Sequence, residues 1–550
     1  MSQPCSEENV LDKTTANEKG EVLTSPEPNA GNDGDDHRED GLSLEMKYPT
    51  GWRLVAVAIA IVLSMFLASL DLTIIATAIP HITDEFHSLN QVGWYASALF
   101  LTVAATQSVW GKAFKYFPIK IVYLLSIAIF ELGSLICGVS QNSTTLIVGR
   151  AITGFGVAGS FSGSYIIIAV SAPEKQRPAL AGLLGSAYAI ASVLGPLIGG
   201  ALTDRASWRW CFYINLPFGA VAAASIVLFL RIPESSKPAE ATLKEKLLQM
   251  DLLGFLTITA SVVCYLLALQ WGGVEKRWTS ADVVGCLIGF GVFLVAFAVN
   301  EWWQGERALL LPALLKDYTI AIGCAFCFFI AGNFYILLYY LPLYFQAVRG
   351  TDAIESGIRT LPLILGITLV QIMVGVAIGE TDHFVPFMIL GGVISTAATG
   401  MLLTLGVHSG HSAWIGYQAM AGVGLGLCFT VPIIVTQRIA KPGEVGPATA
   451  IVLFFQSLGG ALIVSAGQSV FQNSLISALP YTNPGLDPAS VVEVGATQVQ
   501  KSFPPSQLSG IDEAYMRGLH LAFTLAIPMA GVATLIAACQ KWFKLKKAGT

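Results

Sequence analysis

The chain has 550 residues, 54% of them hydrophobic and only 12% charged, with a mean hydropathy of +0.64. That composition excludes an ordinary soluble domain and a nucleic-acid-binding protein, and it places the chain in a lipid bilayer. The formal charge of -5 belongs to residues 1–50, which carry twelve Asp/Glu against four Lys/Arg and are expected to form a disordered acidic tail.

Apolar runs of about 20 residues, cut where charged or turn residues interrupt them, predict fourteen spans. They fall near 52–79, 92–111, 119–139, 145–170, 180–203, 211–231, 251–271, 283–303, 318–341, 357–378, 385–406, 413–436, 448–470 and 518–540. The first lies too far from Met1, and is too long, for a cleaved signal. Lys112, Lys115, Lys120, Lys175, Lys244, Lys246, Arg307, Lys441 and Lys544 gather on one side, so the positive-inside rule predicts that both ends are cytoplasmic. On that topology 232–250 is a cytoplasmic linker, 472–517 a long outer loop and 541–550 a basic cytoplasmic tail.

Asp71 in the first span and Arg150 in the fourth are intramembrane charges, which are costly and rarely kept without a role. Both lie about 8 to 14 Å below the same surface, at about 1.5 Å of helix per residue, so they are expected to meet. Two readings follow: a proton-coupling pair, or a static lock between spans 1 and 4. Glu131 in the third span is a further candidate to carry or relay the proton. The neutral Gln107, Asn333, Gln371 and Gln418 are candidates for binding substrate or for bonding neighbouring helices, and Tyr335, Tyr339 and Tyr340 for lining a pocket.

The fifth span holds Gly195-Pro196-Leu197-Ile198-Gly199-Gly200, where glycine permits close backbone approach and proline removes a donor. This segment is expected to pack tightly and bend against a partner. Asn142-Ser143-Thr144 is a sequon on the outer side, in a loop close to the bilayer. Cys324 and Cys327 sit in an apolar span with no second pair, and no His/Cys/Asp cluster has metal or nucleophile spacing. A phosphate-binding loop is absent, so a metal, a nucleotide cofactor and an enzymatic role are not expected.

The second half repeats the first. Asp71 and Pro80 fall on Asn333 and Pro342; Gly93, Gln107 and Gly111 on Gly357, Gln371 and Gly375; Pro118, Gly154 and Gly156 on Pro386, Gly422 and Gly424. Spans 1–6 (51–231) thus correspond to spans 9–14 (304–540), and 251–303 is an inserted pair. Two parallel six-helix repeats imply alternating access around a midplane site.

These residues resemble a known family, the fourteen-span drug:proton antiporters of the major facilitator superfamily. Leu70-Asp71-Leu72-Thr73 through Pro80, Gly149-Arg150 with Gly154, Gly156 and Gly159, the Gly195–Gly200 run, and Trp208 through Pro217 each look like a motif of that group. Gly111 and Lys112 open the loop used there for gating at the cytoplasmic face. Lys115 stands at that motif's aspartate position, and Pro118-Ile119 at its Gly-Arg pair. The resemblance implies an all-α integral membrane protein of the major facilitator fold, most like fungal toxin and multidrug exporters. It would act as a monomer, exporting a small amphipathic molecule by proton antiport across the plasma or vacuolar membrane, with no cofactor beyond the proton gradient. A proton-coupled importer or siderophore carrier, and a transport-dead sensor, are the competing expectations.

Overall fold

The computed structural model describes residues 52–86, 92–173, 175–232, 238–441, 443–493 and 499–545. The tail 1–50 and the last five residues of 541–550 lie outside the described residues. Among the described residues fourteen long helices form the body: α1 (Trp52–Ile74), α2 (Val92–Tyr116), α3 (Ile119–Val139), α4 (Ser143–Ser171), α5 (Arg177–Arg205), α6 (Asn215–Phe229) and α7 (Leu252–Trp271). They continue as α8 (Ala281–Gln304), α9 (Tyr318–Leu343), α10 (Ala353–Thr381), α11 (Val385–Leu402), α12 (His411–Cys428), α13 (Val445–Thr482) and α14 (Pro505–Ala538).

Thirteen helical stretches among the described residues are long and apolar enough to cross a membrane by length and composition. Thr102, Thr106, Gln107 and Ser108 make α2 less apolar than those, yet its 25 residues run about 37 Å and pack between α4 and α13. Starts follow local chemistry: Asn142, Asp251, Ser280, Asp317 and Asp352 each accept a hydrogen bond from a first-turn amide, and Pro386 and Pro505 sit in first turns where a missing N–H costs nothing. Large apolar side chains such as Leu125, Leu132, Leu228, Val295 and Leu369 point outward, the inverse of a soluble protein and what lipid requires.

The duplication is visible in the packing. In the first half α1 packs on α5 and α6, α2 on α4, and α3 on α4 and α6. The second half repeats this with α9 on α13 and α14, α10 on α12, and α11 on α12 and α14. Two seams join the halves, α5 with α10 and α2 with α13, and the repeat makes them equivalent. The inserted pair α7–α8 lies on the second seam alone, through contacts of α7 with α2 and α13.

Two expectations change. The segment 472–517 is not one loop: α13 continues to Thr482 and α14 starts at Pro505, with short helices Pro488–Glu493 and Val499–Ser502 between them. Gln472, Asn473 and Ser474 lower the hydropathy without breaking the helix. The linker 232–250 also carries a helix, Leu243–Leu248, capped by Thr242.

Candidate functional site

Asp71 and Arg150 meet with no solvent exposure: Arg150 Nη1 lies 2.6 Å from Asp71 Oδ2. Arg150 Nη1 also donates to the Asp71 carbonyl, and its Nε donates to the Tyr95 carbonyl of α2 at 2.8 Å. The other carboxylate oxygen accepts from Asn215 Nδ2 of α6 at 3.1 Å, and that amide also reaches Ser134 of α3 at 3.2 Å. Arg150 Nη2 has no partner. One ion pair therefore joins five helices, and protonating the carboxylate would weaken contacts with two of them.

The second half builds the same positions from neutral groups. Gln418, the counterpart of Arg150, donates to the Arg359 carbonyl of α10 at 3.1 Å. The offset of 264 that carries Gln107 onto Gln371 also carries Tyr95 onto Arg359. Asn333, the counterpart of Asp71, donates to Thr399 Oγ1 at 2.9 Å and to the Ala526 carbonyl at 3.1 Å. Glu131 of α3 lies against Gly219, one turn beyond Asn215, and neither of its buried carboxyl oxygens has a hydrogen-bond partner.

The glycine run of α5 grips α1 just past Asp71. There α1 gives way to a 3-10 turn, Ile75–Thr77. A Cβ on Gly195 would collide with Thr73 Oγ1, and one on Gly199 with the Ile74 carbonyl. Pro196 lies within the helix, while a Cβ on Gly200 would meet only Thr77 Cβ, at an ordinary contact distance of 4.0 Å. Close approach, expected of the whole run, belongs to Gly195 and Gly199.

A cavity of about 330 Å³ lies between the halves, lined by Leu72 of α1, Ser97, Phe100 and Val103 of α2, Tyr335, Tyr339 and Tyr340 of α9, and Ser457 to Gln472 of α13. Leu72 places the cavity wall one residue from the ion pair. Tyr335 also accepts the Tyr188 hydroxyl of α5 at 2.8 Å, and Phe100 meets Tyr339 edge-on at 6.2 Å, so the aromatic groups link the two halves. Among the described residues, no charged side chain lines the space.

Of the amides expected at the substrate, none lines this cavity. Gln107 donates to Ser162 at 2.7 Å, Asn333 and Gln418 are bonded as above, and Gln371 is pressed against Gly185 in the α5–α10 seam. Hydrocarbon offers no partner to an amide, so the NH2 groups of Gln107, Asn333 and Gln418 are taken up within their own half, while both polar atoms of Gln371 are buried without a hydrogen bond. The Asn142 sequon likewise begins a helix rather than lying in a loop: Asn142 Oδ1 caps α4 at Thr145, and Ser143 accepts the Tyr95 hydroxyl.

At the Lys-rich end the halves are shut. Gly111 admits Ala450 of α13, Gly375 lies against Pro178, Gly182 against Gln371, and Gln437 donates to the Tyr165 carbonyl. Lys112 is buried and donates to the carbonyls of Gln249 and Arg307, which flank the inserted pair. Residues not singled out from the sequence complete this end. Asp382 pairs with Arg438, and Asp251 accepts from Asn300, Gly254 and the Leu309 amide. At the far end Arg209, inside the Trp208–Pro217 run, holds Glu85 through two hydrogen bonds of 3.1 and 2.8 Å, and Trp208 adds a third at 2.7 Å. These donors hold the Glu85 carboxyl below its usual range, the Arg209 hydrogen bonds first.

Two six-helix repeats close on the cavity. A family model described as Major Facilitator Superfamily matches residues 61–464. The chain belongs to that superfamily. It is 45% identical over 521 residues, covering 94% of both chains, to the MFS-type transporter GME11371 of Pestalotiopsis microspora. It is 46% identical to the probable efflux pump gsfJ of Penicillium aethiopicum, over 91% of this chain and 89% of that one. The efflux pump roqT of Penicillium rubens is 40% identical over 96% and 97%. Among solved structures, the proton:xylose symporter XylE matches with a TM-score of 0.59 at 13% identity, covering 90% of this chain and 98% of that one. That likeness concerns the fold. The chain is therefore a multi-pass membrane transporter of the major facilitator superfamily and not an enzyme.

Proposed function

We propose that this transporter exports small, largely aromatic, uncharged amphipathic molecules in exchange for protons. The observation that carries the reading is the adjacency of Asp71, fully buried on Arg150, and Leu72 in the cavity wall. A substrate against Leu72 presses on the turn of α1 that holds the carboxylate. Displacing that turn from Arg150 and Asn215 removes the contacts that favour the charged form, so substrate and proton compete for one conformation. Gly195 and Gly199 transmit the shift to α5, and through α5 to the α5–α10 seam. Glu131, unpartnered beside Gly219, is the second site through which a proton passes.

The cavity favours uncharged substrates because a desolvated charge in it meets no counter-ion, whereas tyrosine hydroxyls and serines offer hydrogen bonds and the rings offer stacking. Names of relatives, among them efflux pumps of filamentous fungi, support export over uptake. With the Lys-rich end cytoplasmic, the shut end faces the cell interior, and the plasma membrane is the natural site.

The test is efflux of a fluorescent amphipathic compound from cells expressing wild type or Asp71→Asn at matched surface level, with and without a protonophore. Export by wild type alone, abolished by the protonophore, supports the reading. Equal export by Asp71→Asn moves the proton site to Glu131. No export by either favours uptake or a transport-dead sensor.

A further inference from the structure

The repeat makes the two seams between the halves equivalent, but only one is covered. Over α2 and α13 lies α7, a helix that belongs to neither half, and its Leu266 reaches the cavity wall. Its partner α8 is largely lipid-facing. The bilayer flank of the cavity is thus closed at this seam by an inserted element.

The fastenings of that element are unequal. At the Lys-rich end Lys112 of α2 clasps the carbonyls of Gln249, just before α7, and Arg307, just after α8. Asp251 caps α7 and is held by Asn300 of α8 at 3.0 Å and by the Leu309 amide at 3.0 Å, while Glu301 accepts the amides of Leu309 and Leu310. At this end a buried cation ties the inserted pair to the first half, and the carboxylates of Asp251 and Glu301 tie it to the short segment that leads into α9. Further along, α7 is tied to the second half by neutral bonds: Tyr265 donates to the Leu462 carbonyl of α13 at 3.1 Å, and Asn473 of α13 donates to the Gly272 carbonyl at 3.1 Å. The inserted pair is slung diagonally across the seam.

Alternating access moves α2 relative to α13, so both sets of bonds cannot survive it. Stripping a buried ammonium of its acceptors costs far more than parting a neutral hydroxyl from a carbonyl that also belongs to a helix. We propose that α7 is a side gate of the cavity: it travels with the first half, parts from α13 at Tyr265–Leu462, and opens a lipid-facing entrance whose width Leu266 sets for amphipathic substrates. The inference rests on the cavity being the substrate path.

Two measurements test it on the full-length chain. First, spin labels on Leu256→Cys paired with Val470→Cys report α7 against α13, and Leu256→Cys paired with Leu125→Cys report α7 against the first half, in purified protein with accessible native cysteines replaced. Two distance populations for the first pair and one for the second are expected. A single α7–α13 distance, or an α7–first-half distance that varies as much, overturns the gate whether or not the protein exports anything. Second, Leu266→Trp should cut efflux of a bulky fluorescent probe far more than efflux of a small one, in protein that still purifies folded in detergent. Equal efflux of both probes overturns the role of Leu266. Loss of protonophore-sensitive efflux in wild type would instead sink the export reading and leave the distance result standing.

Discussion

Thr399 occupies in the second half the position that Glu131 occupies in the first, since the offset of 268 that carries Pro118 onto Pro386 also relates these two residues. Thr399 is bonded to Asn333, the counterpart of Asp71, whereas Glu131 has no partner and Asp71 turns instead to Arg150 and Asn215. A carboxyl kept unbonded in hydrocarbon is costly and is best kept neutral. Glu131→Gln should therefore express and fold at wild-type level while slowing proton-driven efflux; efflux equal to wild type across the external pH range would assign Glu131 to packing.

Arg150 and Asp71 are worth far more together than apart. Removing one partner of a buried pair leaves an uncompensated charge, typically about 3–5 kcal/mol, while replacing both is often neutral. Arg150→Met should thus lower the melting temperature in detergent strongly, and Asp71→Asn combined with Arg150→Met should recover most of that loss without restoring export. Additive losses would mean that the pair does not act as a unit.

Gly199 should tolerate no side chain. Its neighbour is the Ile74 carbonyl, backbone that cannot swing aside, so Gly199→Ala forces α5 away from α1 at about 1–3 kcal/mol and cuts efflux. Gly200→Ala, whose Cβ would make only an ordinary contact with Thr77, is the control for Gly199→Ala and should export normally.

Glu85 supplies a pH signature at the far end. Arg209 and Trp208 lower its pKa, so the clasp contributes stability at pH values above the usual glutamate range and loses it as pH falls through the lowered value. The clasp is partly exposed, with Glu85 44% and Arg209 27% accessible, so the effect is small and salt-sensitive. Comparing acid unfolding of wild type with Glu85→Gln, the difference should vanish at low pH; a difference that grows on acidification would contradict it.

Much of this architecture is written in the residues, for identifiable reasons. A charge in an apolar run is rare, so Asp71 and Arg150 announce themselves, and prolines and glycines keep their spacing within each repeated span, as from Pro118 to Pro386, Gly154 to Gly422 and Gly156 to Gly424. An amide in the same run is ambiguous: Gln107, Gln371, Gln418 and Asn333 have the chemistry to bind substrate, yet helix packing decides where they point. Backbone acceptors leave no trace at all. Lys112 and Tyr265 donate to carbonyls of Gln249, Arg307 and Leu462, and no side chain at those positions reveals the contact. The ends of α13 and α14 were hidden differently, because polar residues beyond the bilayer end a hydropathy run without ending a helix.

The unequal halves carry an electrical consequence. At three matched positions the first half holds Asp71, Arg150 and Glu131 where the second holds Asn333, Gln418 and Thr399. A transmembrane voltage does work only on charge, about 2.3 kcal/mol per unit charge per 100 mV. With Asp71 paired to Arg150 and Glu131 neutral, the first half carries no net charge at these depths, so the field grips it only when a proton enters or leaves that set; the second half, neutral at all three positions, moves because it is pushed.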